Sequence, residues 1–246
     1  MPPEPVLIDV RNLRFRYQSV AEFELYIEKF TCDGHSPIGV YGPGGSGKST
    51  FGRLLAGILK PQDGTITVSL NRQTATSAAL PVTYLPQLPE EIFLGLRVIP
   101  AIETILGSNH DPAGQDHFRQ LLDEFKLDYR KLQERYGFEL SGGELRKVAL
   151  AFGFARSGAI LIFDEPTIAL SPEDEAIFDR VVTQMALRKT LICISHDFEL
   201  LHRHCGRMLV FKQGRILYDG PESALRNADA ICHAVGLDLY FDMLMS

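Results

Sequence analysis

The stretch Gly42-Pro43-Gly44-Gly45-Ser46-Gly47-Lys48-Ser49-Thr50 decides how the rest of the chain is read. It follows a short apolar run, Pro37-Ile38-Gly39-Val40-Tyr41. It opens a segment from Lys48 to Leu59 in which Phe51, Leu54, Leu55, Ile58 and Leu59 fall on one helical face. The order is therefore strand, glycine-rich loop, helix. Glycines let successive backbone N–H groups converge on phosphate oxygens, and the helix start adds a favourable dipole. In a loop of this kind Gly42, Gly44, Gly45, Ser46 and Gly47 form the cradle. Lys48 reaches the outer phosphates, the Ser49 hydroxyl takes a place on Mg²⁺, and Thr50 helps hold the α-phosphate.

Upstream, Val6, Ile8 and Val10 alternate, and the phase then changes across Asn12 to Leu13, Phe15 and Tyr17. A second alternating run, Phe23, Leu25 and Ile27, follows the short connection at Gln18-Ser19-Val20, as a hairpin would. Downstream, Pro61-Gln62-Asp63-Gly64 ends the helix and opens a strand over 65–70. From 88 to 157 the character changes, and helical patterns over 117–125 and 145–154 dominate. Ile160-Leu161-Ile162-Phe163 and Thr190-Leu191-Ile192-Cys193-Ile194 then flank a helix over 172–187. Two last strands, over 207–212 and 215–218, meet at Gln213-Gly214. Apolar strands alternating with helices predict a parallel sheet covered on both faces. The expected architecture is a single α/β domain. Residues 1–87 and 158–246 form its core, with a mixed sheet and an N-terminal antiparallel β subdomain, and residues 88–157 form an inserted α-helical subdomain.

Composition narrows the function. The 246 residues carry 25 Lys and Arg against 31 Asp and Glu, a net charge of −6, which gives no general pull toward nucleic acid or anionic membrane. No run approaches the roughly 18 apolar residues that a membrane helix needs. The nearest, over 92–106, is broken by Arg97, Pro100 and Glu103. Met1-Pro2-Pro3-Glu4-Pro5 has neither the basic end nor the apolar run of a signal peptide. Cys32, Cys193, Cys205 and Cys232 include no CxxC pair and read as buried, reduced thiols. The expectation is a soluble cytoplasmic chain.

Two further motifs carry chemistry. Ile160-Leu161-Ile162-Phe163-Asp164-Glu165-Pro166 is a buried strand delivering two carboxylates at its C-terminal edge. After a phosphate loop, that arrangement suits Asp164 to hold Mg²⁺ through its water and Glu165 to orient or deprotonate an attacking water. Leu140-Ser141-Gly142-Gly143-Glu144 precedes a helix, and its serine hydroxyl and glycine amides could grip a γ-phosphate. Plain helix capping is the alternative.

Together these motifs resemble the ATP-binding cassette (ABC) ATPases, a P-loop NTPase family, over roughly Leu7 to Leu225. The resemblance implies that Ser141, Gly142 and Gly143 serve the nucleotide of a second cassette, in a homo- or heterodimer. It also implies that Tyr17 stacks on adenine, that Gln87 contacts Mg²⁺ and reports nucleotide state, and that His196 contacts the γ-phosphate. Lys48, Gln87, Glu165 and His196 are then the catalytic set, and Ser49, Gln87 and Asp164 the metal set. One departure is Ser171, where the family usually has an aspartate that bridges to the other subunit. The implied function is Mg-ATP hydrolysis that powers transport through separate membrane subunits, as in an importer, with the cassette peripheral at the inner face of the membrane. Pro89-Glu90-Glu91-Ile92-Phe93, with the apolar residues after it, resembles energy-coupling-factor and cobalt- or biotin-type importers, where this region receives a helix of the membrane subunit. A soluble ABC ATPase of cofactor assembly is the rival reading. The segment 229–246 is expected to pack back on the cassette.

Overall fold

The computed structural model describes residues 6–18, 23–34, 36–70, 73–75, 82–93, 95–108, 112–238 and 240–241. Strands β1 (Val6–Phe15), β2 (Leu25–Cys32), β4 (Asp63–Leu70) and β5 (Gln73–Ala75) form an antiparallel sheet in the order β2-β1-β4-β5. The phase change at Asn12 is a bulge. Asn12 has φ 47°, and the register of β1 on β4 shifts between Arg11 and Arg14. The extra residue lets Val10 and Leu13 both face the core.

The second sheet holds β3 (Ile38–Tyr41), β6 (Val82–Leu85), β7 (Ile160–Asp164), β8 (Thr190–Ile194), β9 (Arg207–Lys212) and β10 (Arg215–Pro221), in the order β10-β9-β3-β8-β7-β6. All its pairings are parallel except β10 on β9, so the sheet is mixed. Helix α1 (Lys48–Leu55) stops four residues short of the sequence expectation. Gly57 adopts a left-handed φ of 70°, and the N–H groups of Ala56 and Gly57 close on the carbonyls of Gly52 and Leu54. Ile58 is left exposed as a result.

Residues 88–157 hold α2 (Glu90–Phe93), α3 (Val98–Ser108), α4 (Pro112–Glu124), α5 (Tyr129–Leu132), a 3-10 turn (Gly137–Glu139) and α6 (Gly142–Ala155). Then come α7 (Pro172–Ala186), α8 (Phe198–His204), α9 (Glu222–Leu225) and α10 (Asp229–Val235). The central sheet separates two hydrophobic cores. Ile160, Ile162, Ile192 and Ile194 face the antiparallel sheet and the Phe51, Leu54 and Leu55 face of α1. Leu161, Phe163, Leu191 and Cys193 face the other way, into one continuous core with α3, α4, α6 and α7.

The apolar residues after Gln87, which the resemblance assigns to contact with a helix of the membrane subunit, are in good part core. Phe93, Val98 and Ile99 are buried, because α2 and α3 turn them inward, and Leu88 and Leu96 stay outside. The C-terminal segment packs back. Leu237 is buried, and Tyr240 and Phe241 lie edge-on against Phe198 at 5.0 and 5.5 Å between ring centroids. Leu239, Met243 and Leu244 lie outside the described residues. All four cysteines are buried and unpaired with one another. Among the described residues no helix is long and apolar enough to cross a membrane.

Candidate functional site

The glycine-rich loop leaves the C-terminal end of β3 and wraps the start of α1. Gly42 has φ 150° and lies so close to the chain that a Cβ there would sit 2.2 Å from the Phe211 carbonyl oxygen. Gly45, at φ 74°, faces open space, with nothing within 4 Å of a Cβ. The loop closes through Ser46 N–H to the Pro43 carbonyl at 3.2 Å and Gly214 N–H to the Ser46 carbonyl at 2.9 Å. Lys48 is buried, and its ammonium donates to the carbonyls of Gly42 at 2.6 Å and Pro43 at 3.1 Å. Burial lowers its pKa, against the fields of Glu165 and Asp164. A cavity of about 400 Å³ opens over the loop, lined by Tyr17, Phe23 and residues 45–50. Tyr17 shares a 3.2 Å hydrogen bond with Thr50 Oγ1 and stands edge-on to Phe15 at 4.9 Å. Phe23, which alternation places in a strand, precedes β2 and lines this cavity instead.

Strand β7 ends beside the loop. Asp164 accepts a 2.6 Å hydrogen bond from the Tyr84 hydroxyl on Oδ2, while Oδ1 is buried with no partner among the described residues. Burial raises the Asp164 pKa, and the Tyr84 and Ser49 hydroxyls pull it back. The same burial, with the aspartate alongside, pushes the Tyr84 phenol far above its usual ionisation range. Glu165 sits at φ 50°, with its N–H on the Ile194 carbonyl at 2.8 Å. Its carboxylate is held on both oxygens. Ser195 Oγ donates to Oε2 at 2.8 Å, and His196 N–H donates to Oε1 at 2.9 Å. His196 Nδ1 lies 2.8 Å from Oε1, so the imidazole leans on Glu165 while remaining solvent-exposed. Ser195 is itself fixed by the Asp197 N–H, which donates to its hydroxyl at 3.0 Å. The strand order puts all of these groups at one edge, since β7 and β3 both neighbour β8.

The remaining sequence candidates lie elsewhere. Gln87 is exposed after β6, and its carbonyl accepts from Arg146 Nη2. Ser141 and Gly142 are exposed at the start of α6, and Gly143 is half-buried. None of these three lines the cavity over the loop. Ser141 and Glu144 form a capping box, with Ser141 N–H to Glu144 Oε2 at 2.9 Å and Glu144 N–H to Ser141 Oγ at 3.2 Å. Ser171 caps α7. Its Oγ accepts from Asp174 N–H at 3.2 Å and donates to Asp174 Oδ2 at 2.8 Å, with Lys147 Nζ 3.5 Å from that same oxygen. An aspartate at 171 would set two carboxylates against each other, which gives the serine a local reason. Phe23, Tyr84, Ser195 and Arg146 escaped the sequence reading. Tyr84 and Ser195 stand three residues before Gln87 and one before His196, whereas the only pattern around Phe23 was strand alternation and nothing marked Arg146.

The residues suit a nucleotide with a divalent cation. Open space at Gly44 and Gly45 would receive phosphate oxygens beside the Lys48 ammonium. Among the described residues no group of three or more His, Cys, Asp and Glu could hold a metal by itself. Mg²⁺ asks for less, usually one or two carboxylates with substrate phosphates completing its shell. The orphaned Asp164 Oδ1 is such a carboxylate oxygen.

Comparison with known proteins agrees with this geometry. The family model described as "ABC transporter" matches residues 28–168. The energy-coupling factor transporter ATP-binding protein EcfA2 of Thermotoga maritima is 32% identical over 185 residues, covering 74% of this chain and 69% of the relative. Among solved structures, an ATP-binding subunit of an ABC transporter superposes with a TM-score of 0.77 at 20% identity, covering 97% of this chain and 99% of that one. A dimeric ATP-binding cassette bound to ADP and Pi superposes at 0.71 with 20% identity, covering 87% and 98%. These two structures share the fold.

Proposed function

The chain belongs to the ABC transporter ATP-binding family, and from that premise we propose that it is the Mg-ATP-hydrolysing cassette of an importer, working as a dimer with separate membrane subunits. The observation that carries the chemistry is the Glu165 carboxylate, fixed on both oxygens by Ser195 and His196 at the strand edge that also holds the phosphate loop.

ATP is the substrate. Tyr17 and Phe23 flank the adenine end of the cavity, and the loop amides from Gly44 to Thr50 receive the phosphates. Lys48 exchanges its two carbonyl partners for phosphate oxygens. Ser49, Asp164 and Gln87 would hold Mg²⁺, which would neutralise charge on the outer phosphates. Glu165 orients the attacking water and accepts its proton. His196, already against Oε1, keeps the carboxylate aimed and presents its imidazole to the γ-phosphate. Positioning and fixed electrostatics supply most of the rate.

Ser141 and Gly142 are exposed, and Gly143 half-buried, at the start of a 14-residue helix, which suits contact with the nucleotide of a second cassette rather than their own. Residues 88–157 serve as the helical subdomain on the 1–87 and 158–246 core. Leu88 at 57% exposure, next to Gln87 in sequence, Leu96 at 49% and Phe138 at 77% are exposed apolar residues that suit a contact with the membrane subunit. That contact would hold the cassette at the inner face of the membrane.

Glu165→Gln tests the assignment. It should bind ATP like the wild type and accumulate as an ATP-bound dimer, with turnover lower by about 10²-fold or more. Wild-type turnover would remove Glu165 from its role. Purification of the tagged chain from its native cells in mild detergent tests the coupling. A stoichiometric multi-span membrane protein is expected, and a soluble assembly protein in its place would overturn the transport reading.

A further inference from the structure

Arg146 lies one and a half turns into α6 and is 4% exposed, among the buried apolar residues Leu145, Val148, Ala149 and Leu150. A guanidinium is costly in such a place unless its donors are met. Its Nη1 donates to the Pro86 carbonyl at 3.1 Å and its Nη2 to the Gln87 carbonyl, so both bonds end on the loop between β6 and α2. Its Nε is buried with no acceptor among the described residues. Burial pulls its pKa down, and the carboxylates of Glu90, Asp164 and Glu165 counter that only through space. Packing alone would be served as well by a methionine, without the orphaned donor. What the arginine adds is a bond between two segments that are 59 residues apart in sequence.

Those segments face different nucleotides. In the dimer proposed above, Gln87 reads the nucleotide on its own chain, while Ser141 to Gly143 at the head of α6 meet the nucleotide of the other. We propose that Arg146 is a positioning residue that couples the two ATP sites, transmitting the position of the Gln87 loop to the start of α6 and so to the neighbouring site. The path is short because α6 is one unbroken helix from its Ser141 cap to Ala155, with Arg146 in its second turn. The proposal rests on the roles assigned above to Gln87 and Ser141.

ATP-concentration dependence of hydrolysis tests it in the full chain, with Arg146→Met, Arg146→Lys and Gln87→Ala beside the wild type. Two coupled sites give a Hill coefficient approaching about 2 in the wild type. Arg146→Met should bring it to about 1 and lower kcat by about 10-fold, with nucleotide affinity held within about twofold. Arg146→Lys keeps the buried cation but loses the rigid, planar fork that fixes the two carbonyls relative to α6, so its Hill coefficient should fall between the two. Gln87→Ala should also lose cooperativity. A cooperative Arg146→Met beside a non-cooperative Gln87→Ala overturns the proposal alone. A cooperative Gln87→Ala overturns the underlying reading of that glutamine. Should Arg146→Met fail to fold, wild-type cooperativity in Arg146→Lys overturns the proposal.

Discussion

Removing the Ser195 hydroxyl separates the support of Glu165 from its chemistry. Ser195 is 1% exposed, so no solvent takes the place of its Oγ after Ser195→Ala. Two hydrogen bonds vanish, the 2.8 Å bond to Glu165 Oε2 and the 3.0 Å bond from Asp197 N–H. The first ends on a carboxylate, and such bonds contribute about 1.5–3 kcal/mol. Taking about 2 kcal/mol in all, a chain of this size should melt about 4–8 °C lower. Catalysis should suffer separately. His196 still holds Oε1, but Oε2 is released, and the carboxylate can swing by a fraction of an ångström to an ångström. Misplacements of that order cost about 10- to 100-fold in kcat. Nucleotide affinity should not follow, because Ser195 does not line the cavity over the phosphate loop. Thermal melts, steady-state hydrolysis and nucleotide titration read the three quantities independently. A lowered melting temperature with wild-type kcat would refute the reasoning, since Ser195 would then be a structural prop and Glu165 would not depend on it for aim.

The other expectations follow from neighbouring contacts. Tyr17→Ala should weaken ATP binding by about 10-fold, the size of one lost base–aromatic stack, while leaving binding of inorganic triphosphate unchanged. Equal ATP affinity would remove Tyr17 from the adenine. Asp164 has a raised pKa in the folded chain, so the native state holds its proton to higher pH than the unfolded chain does. Its contribution to stability is therefore present near its ordinary 3.8 and lost as pH rises through the elevated native value. Asp164→Asn should remove that loss. The nucleotide-free variant should melt a few degrees above the wild type at neutral pH, with a flatter pH dependence across that window and no hydrolysis. Melting curves at several pH values check it, and an unchanged slope would show that the buried carboxylate is not the source.

The parts of the site that were legible in the sequence are those whose geometry is local. The phosphate loop and the Asp164-Glu165 pair need only a strand, a turn and a few fixed residue types, and each could be read within ten positions. Asn12 belongs to the same class, because a phase slip in an alternating strand leaves few options besides a bulge. Where distant contacts decide the outcome, local pattern misleads. The apolar residues after Gln87 could be assigned wholesale to a partner's helix because nothing local says that α2 and α3 roll Phe93, Val98 and Ile99 inward. The end of α1 was missed because its apolar spacing continues to Leu59, and Gly57 overrides it. Phe23 joined a strand pattern in the right phase for the wrong reason. Arg146 left no trace at all, since its two acceptors are backbone carbonyls, which every sequence has.

The alternation of β7 between two cores has a consequence for how the chain fails under stress. Ile160 and Ile162 point toward the core that holds α1, and Leu161 and Phe163 toward the core that holds the helical segment. Amide hydrogen exchange in such an arrangement has two sub-global routes and one global one, and β7 is released fully only by the last. Helix α1, which carries the end of the phosphate loop, buries its apolar face in the first core. Partial melting of the helical side would thus leave a chain that still sequesters nucleotide but has lost the aim of its carboxylates. A warmed population would go silent as a motor while remaining a sink for ATP, and turnover would report damage earlier than any binding assay.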